Sequence, residues 1–470
     1  YGQSGTPELH IRGSHDPEAK TYSLTVRQSC PDTAGQTGFG AEKSKNDVHE
    51  KQSAPVEIQN SKQNAHHSSQ KQPFHIPLAL GLLAADGDTL PLKLTGCTAE
   101  KNQDTIILEL RKQSETFVFE NIPAAPVPSL LRGFSAPVKL LFDYSIADLA
   151  FLLANDTDEF NRWEAGQQLM IRISLEQIQR FQNHEPFNLP SELENAFRSL
   201  LNQTQEGDSA LLALALSFPN EPYLGELMDV IDVDAIHDTR TFLRKELAQK
   251  LQSEFEKTYL EFQEESAFKI DQQSMGRRSL KNVCLSYLSE LGSLDIRKLT
   301  QTQFRKNENM TDVAGALGVL THLDCPERET AFSEFENRWR KNTVVMDKWF
   351  ALQAISCLPK TLDHVRKLTS HSAYEKNNPN KIRALISTFS RFNQLRFHAA
   401  DGSGYEFIAE QVLRLDPLNP QIAARLVSVF NNWKKFTETH KTKMNYQLQK
   451  IVKTPKLSGD VFEIVSKALG

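Results

Sequence analysis

Two arginines and a glutamine carry the clearest chemical signal in the sequence. Arg383 follows Asn378-Pro379-Asn380-Lys381-Ile382, and Arg425 follows Asn419-Pro420-Gln421-Ile422-Ala423-Ala424. Asn at an N-cap accepts a bond from a free backbone N–H, and Pro at the first helical position already holds the φ that a helix needs. Each stretch therefore predicts a helix start with an arginine about one turn inside. A cation there sits against the helix macrodipole, so stability alone would place an acid at these positions. Two guanidinium groups beside free N–H groups make a place for an anion. Gln421 lies four residues before Arg425, on the same helix face, and Asn380 lies three before Arg383. A second reading stays open on the residues alone, in which each arginine pairs with an acid on a neighbouring helix, the commoner use of buried or half-buried charge.

Catalytic constellations are missing. His49-Glu50 and His184-Glu185 are the His-Glu dipeptides of the chain. Neither has a second His at the fourth following position, and Pro186 would break the helix that H-E-x-x-H requires. No G-x-S-x-G, phosphate loop or dinucleotide fingerprint occurs. Asp401-Gly402-Ser403-Gly404 has the look of a nucleophile turn, but no strand precedes it, and a helix-entry loop accounts for it. Cys357, before Leu358-Pro359, reads as a structural thiol at a helix end. His66, His67 and His75 have no Cys or acid at ligand spacing, so no metal site is assigned. The chain is read as having no catalytic residue and no metal ligand of its own.

The totals narrow the classes further. With 470 residues a few domains are expected, and 39% hydrophobic with 24% charged is ordinary globular composition. A net charge of −5 argues against a nucleic-acid binder, which is usually markedly basic. Five scattered cysteines without a CxxC argue against a disulfide framework and for a reducing compartment, hence the cytoplasm. No apolar run approaches the roughly 18 residues of a membrane span. The opening Tyr1-Gly2-Gln3-Ser4-Gly5-Thr6-Pro7 has no Met and no signal-peptide pattern, so the chain reads as cut from something longer.

The elements that would position these residues fall into two parts. Residues 1–144 favour short strands at Glu8–Arg12, Thr21–Gln28, Phe74–Leu83, Leu90–Leu94, Thr105–Leu110, Thr116–Phe119 and Ser135–Tyr144, an antiparallel, immunoglobulin-like β-sandwich. Pro123, Pro126 and Pro128 place their stretch at a sheet edge or in an extended link. Residues 31–73 are too polar to offset their ordering entropy and read as a flexible insertion. At Ser145-Ile146-Ala147-Asp148 a capping-box pattern opens an all-α part, 145–470. One long helix is expected at Asp238–Glu264, and others include Asp312–Leu320, Val345–Ser356, Pro379–Ser390, Tyr405–Asp416 and Pro420–Asn432. The fold class expected is thus α+β multidomain, a small β-sandwich followed by a large, curved, solenoid-like helical domain. The two Asn-Pro starts lie about forty residues apart, a helix-pair spacing that could set Arg383 and Arg425 on one side of adjacent layers.

Several of these motifs, taken together, resemble the bacterial aminopeptidase N family of zinc metallo-aminopeptidases. They are Tyr1–Pro7, Phe134–Leu140 within Pro128–Leu140, Asn309-Met310-Thr311-Asp312, Val345-Met346-Asp347-Lys348-Trp349-Phe350, the two Asn-Pro starts, Asp401–Tyr405 and Ser458-Gly459-Asp460. The resemblance covers nearly the whole chain apart from 31–73, and it matches only the family's small β-sandwich and helical domain. It implies that the zinc site, the Gly-Ala-Met-Glu-Asn substrate loop and the transition-state tyrosine lie in a catalytic domain upstream of Tyr1. By the same resemblance the cofactor is zinc in the parent and none in this chain, and the chain alone is inactive. The helical domain would cap the active site, restrict it to short peptides, and use Arg383 and Arg425, with Gln421 nearby, to contact the peptide's C-terminal side. Partners implied are short peptides together with the catalytic domain, with neither nucleic acid nor membrane. The alternative is a free-standing helical scaffold whose concave face binds a protein partner.

Overall fold

A computed structural model describes residues 3–31, 71–96, 104–204, 208–263, 268–306 and 308–470. Most of the expected insertion, residues 32–70, lies outside the described residues. Among the described residues seven strands run as β1 (Glu8–Asp16), β2 (Thr21–Ser29), β3 (Ile76–Leu83), β4 (Ile106–Leu110), β5 (Ser114–Glu120), β6 (Val127–Leu130) and β7 (Lys139–Leu141). They form one sheet in the order β5-β2-β1-β7 and another in the order β4-β3-β6. The period-two pattern of β2 works as expected: Tyr22, Leu24 and Val26 are buried, while Thr25 and Arg27 face outward. Gly13 lies under the Tyr22 ring, and a Cβ there would meet the phenol oxygen at 1.9 Å. Pro128 sits in β6, an edge strand, where its missing N–H costs no ladder bond.

Between the described strands of the two sheets the pairing is antiparallel except at one place. β7 lies parallel to β1, with Glu8 opposite Lys139 and His10 opposite Leu141. The expected strand Ser135–Tyr144 shrinks to these three residues. Leu131 and Phe134 turn the backbone at φ of 60° and 50°, and Pro137 lacks the N–H that a longer ladder would use. Leu90–Leu94 is not a strand: Leu94 makes an isolated bridge with Phe119, and Thr89, just before the stretch, makes one with Leu83.

Arg132 shows how the sheet part holds its neighbouring chain. Its buried guanidinium donates to Asp156 Oδ1 at 3.0 Å, Ser129 Oγ at 2.9 Å and Thr105 Oγ1 at 3.0 Å, passing over Gly81, where a Cβ would not fit. By compactness one unit takes residues up to Asp148 plus Asn155–Asn161, and the other takes Leu149–Ala154 and Arg162–Gly470. The capping box forms as its sequence requires: Ser145 Oγ accepts from the Asp148 N–H at 3.0 Å, and Asp148 Oδ2 accepts from the Ser145 N–H at 2.9 Å.

The regular elements described in the second unit are helices, and its core is a set of buried apolar side chains that includes Leu317, Phe350, Phe389, Phe407 and Leu448. The expected helix Asp238–Glu264 is two, Val233–Lys250 and Gln252–Glu261, meeting at Leu251 with φ −118° and ψ 22°. No Gly or Pro marks this break. The turn lets Phe255 stack on Tyr287 with centroids 4.6 Å apart. Pro379–Ser390 is one helical run with an interruption. Pro379–Ile382 is α, Arg383–Ser387 is a π-helical turn, and Thr388–Phe392 is α again. Among the described residues no helix is long and apolar enough to cross a membrane.

Candidate anion-binding ledge

The motifs around the two arginines divide into residues that hold helices together and residues left facing solvent. Asp347, in the second turn of Thr343–Ala354, accepts from the buried Lys381 ammonium at 2.6 Å. Lys381 also donates to the Thr343 carbonyl at 2.8 Å and lies 5.9 Å from the Phe350 ring centroid. That ion pair fixes the first turn of Pro379–Ile382, the turn that leads into Arg383. Trp349 donates its indole N–H to the Phe332 carbonyl at 3.0 Å. In Asn309–Asp312, Asn309 caps Met310–Thr321 by accepting from the Asp312 N–H, and the Asp312 carboxylate takes Lys281 at 2.6 Å and Asn309 Nδ2 at 2.9 Å. Asp416 accepts from the Ser458 N–H at 2.9 Å and from its hydroxyl. These residues are structural.

The Asp401–Tyr405 turn carries no nucleophile. Ser403 donates its hydroxyl to Asp401 Oδ1 at 2.7 Å, and its N–H goes to the same oxygen at 2.9 Å, which holds that carboxyl below the usual range. Gly402 takes φ +80°, and a Cβ on Gly404 would lie 2.2 Å from the Phe397 carbonyl oxygen, so both glycines serve the close approach of two chain segments. Cys357 is half-buried, and burial pushes its thiol up, away from the thiolate a nucleophile needs.

Tyr405 is the centre of a buried polar group. Its hydroxyl lies 2.8 Å from His398 Nδ1 and 3.0 Å from His440 Nδ1. Burial holds His398 down to about 3 and lowers His440 as well. An unfolded histidine titrates near 6.5, so over the interval down to about 3 the unfolded chain binds a proton that the folded chain does not. Stability is therefore complete above about pH 6.5 and is lost progressively as pH falls from there toward 3. His398 alone contributes about 1.4 kcal/mol per pH unit, so about 2 kcal/mol should disappear between pH 6.5 and 5. Thermal melts across that range should show the loss, and His398→Gln should flatten it. Equal slopes for both proteins would remove His398 as its source.

The three residues singled out by sequence are all exposed. Both Asn caps form, Asn378 accepting from the Asn380 N–H at 3.0 Å and Asn419 from the Ile422 N–H at 3.1 Å. Arg383 meets Asn380 Oδ1 at 3.4 Å. Among the described residues neither Arg383 nor Arg425 has a carboxylate within 4 Å, so the ion-pair reading of these arginines fails there. The dipole argument needs correction for Arg425. Its helix, Pro420–Val427, has eight residues, and Arg425 stands in the last turn, where the macrodipole favours a cation. Gln421 and Arg425 share the outward face as their spacing requires. A third arginine, Arg391, joins the two helices: its Nη2 donates to the Arg425 carbonyl at 3.0 Å and to Ser428 Oγ at 3.1 Å. Sequence reasoning missed Arg391, because its place depends on the π turn, for which the residues give no signal.

Residues 146–470 match the family model described as a domain of unknown function (DUF3458_C) with ARM repeats, and 43–143 match the DUF3458 domain of Ig-like fold. Over 471 residues the chain is 34% identical to aminopeptidase N of Escherichia coli K12, covering 100% of this chain and 49% of that protein. Over 396 residues it is 37% identical to aminopeptidase N of Caulobacter vibrioides, covering 83% of this chain and 44% of the relative. A solved structure of Legionella pneumophila aminopeptidase A in complex with aspartic acid superposes with a TM-score of 0.76 at 27% identity, over 99% of this chain and 49% of that one. The chain thus spans about half the length of the curated relatives it matches.

Proposed function

Because the chain belongs to the DUF3458_C family of ARM repeats and is homologous to the C-terminal region of aminopeptidase N, we propose that it is the non-catalytic part of a zinc aminopeptidase and that its helical unit receives the far end of the peptide substrate. In this reading Arg383 and Arg425, with Gln421 beside Arg425, bind the C-terminal carboxylate of a short peptide whose N-terminal bond is cut elsewhere. The helical unit caps the active site, and the bound carboxylate sets the length of peptide that fits. Among the described residues no three His, Cys, Asp or Glu side chains converge as a metal site. The zinc is assigned to the catalytic domain.

The observation that carries the reading is the pair of exposed guanidinium groups without a carboxylate partner among the described residues, on helices joined through Arg391. An arginine left without an acid keeps its planar pair of donors for an incoming carboxylate. Binding at a point remote from the reacting bond also orients the scissile end.

The test uses the full-length protein with two substrates, a tripeptide with a free carboxylate and an amino-acid arylamide that has none. Arg383→Ala and Arg425→Ala should each lower kcat/KM for the tripeptide by about tenfold or more, the loss of one charge-assisted hydrogen bond. Arylamide turnover should stay within about twofold. Equal losses on both substrates would remove the carboxylate role.

A further inference from the structure

The structure assigns Arg391 as the positioning residue of the anion ledge, brought onto the Arg383 face by the π turn and holding the Arg425 helix through its backbone. This deepens the carboxylate reading above and rests on it.

An α-helix advances about 100° per residue, so an unbroken helix would set Arg391, eight positions after Arg383, roughly 80° around the axis from it. The run is not unbroken. The Thr388 N–H reaches back to the Arg383 carbonyl, five residues away, and the Thr388 hydroxyl lies 3.1 Å from the same oxygen. A π turn absorbs one extra residue without advancing the face, which brings Arg391 to within about 20° of Arg383. Without that turn Arg391 would point away from the line of Arg383.

In that line Arg391 meets the Pro420–Val427 helix at its end. The Arg425 carbonyl takes Arg391 Nη2 at 3.0 Å and the Ser428 hydroxyl at 2.8 Å, and Ser428 Oγ accepts from Arg391 in turn at 3.1 Å. Carbonyls of a last helical turn lack intrahelical donors and carry partial negative charge, so a guanidinium is a well-matched cap. The capped carbonyl belongs to Arg425 itself. One side chain of the first helix is therefore bonded to the main chain of the residue whose side chain faces solvent. That ties the Arg425 helix to the Thr388–Phe392 end of the helical run that carries Arg383. Among the described residues Arg391 has no acidic partner within 4 Å, so no carboxylate competes for it there.

The experiment measures kcat and KM of the full-length enzyme for a tripeptide and for an arylamide. It uses Arg391→Ala and Arg391→Lys beside Arg383→Ala and Arg425→Ala, with thermal melts of each. Arg391→Ala should raise the tripeptide KM about tenfold with kcat within about twofold, and leave the arylamide and the melting temperature unmoved. Arg391→Lys keeps the charge but not the fork, and should recover part of the loss, to about threefold. An unchanged tripeptide KM, or equal shifts for both substrates, overturns the assignment. If Arg383→Ala and Arg425→Ala also leave the tripeptide KM unchanged, the carboxylate reading falls with it. If they raise it and Arg391→Ala does not, only the positioning role falls.

Discussion

Replacing Asp312 by Ala is expected to remove about 3–5 kcal/mol from the helical unit, the cost of leaving one member of a buried ion pair unpartnered. Lys281 is 2% exposed and Asp312 6%, so water cannot take the place of the lost carboxylate. The site is also a network. Asn282 Nδ2 reaches Asp312 Oδ1 at 3.2 Å, Gln303 donates to both the Asn282 amide oxygen and the Asp312 carbonyl, and Tyr259 donates to Gln303 Oε1 at 2.9 Å. Removing the carboxylate leaves several buried donors with nothing to reach, each with its own desolvation penalty. Urea unfolding followed by far-ultraviolet circular dichroism should show a midpoint lower by about 1 M or more. The double variant Lys281→Met with Asp312→Leu should recover much of the loss, because an apolar pair of similar volume often serves as well as a buried ion pair. A double variant less stable than Asp312→Ala would contradict this account.

Asp347→Ala is expected to cost more than Lys381→Met, although the two remove opposite ends of one bond. The Lys381 side chain is 2% exposed and that of Asp347 27%. With Lys381 gone, Asp347 can turn to water. With Asp347 gone, the ammonium stays buried with only the Thr343 carbonyl and the face of Phe350 for partners. The expected costs are about 3–5 kcal/mol for Asp347→Ala and about half that for Lys381→Met. Lys381 stands two residues before Arg383, so Asp347→Ala should also loosen the turn that carries it and raise the tripeptide KM. Equal destabilisation by both variants would show that Asp347 is no better hydrated than Lys381.

The readable part of the sequence was the part governed by local rules. The alternation of Tyr22, Leu24 and Val26, the Ser145 capping box and the Asn378 and Asn419 caps depend on a few neighbouring residues, and all formed as read. Features set by distant packing were not legible. The break at Leu251 answers to Tyr287, and the π turn at Arg383–Ser387 has no sequence marker. Asp347, Asp312 and Tyr405, which belong to the motifs that carry the family resemblance, sit in polar networks between helices, and their role there is structural. Arg383, Arg425 and Gln421 are visible as residues, and their exposure depends on how the helices pack, which no local pattern encodes. Arg391 required both the turn and the neighbouring helix, which no local pattern encodes.

The parallel pairing of β7 with β1 has a consequence for how the chain acquires its structure. Glu8 finds its partner at Lys139, so the β5-β2-β1-β7 sheet cannot close until well over a hundred intervening residues have been synthesised. The β1–β2 hairpin needs only Asp16 to meet Thr21, and the helices of the second unit bond within themselves. Contacts so distant in sequence slow folding by orders of magnitude relative to helical neighbours. On a ribosome, the last step of the sheet waits for residues that emerge just before the first helix. Refolding from denaturant should accordingly be biphasic, with helical signal returning first and the β7 edge protected from exchange last.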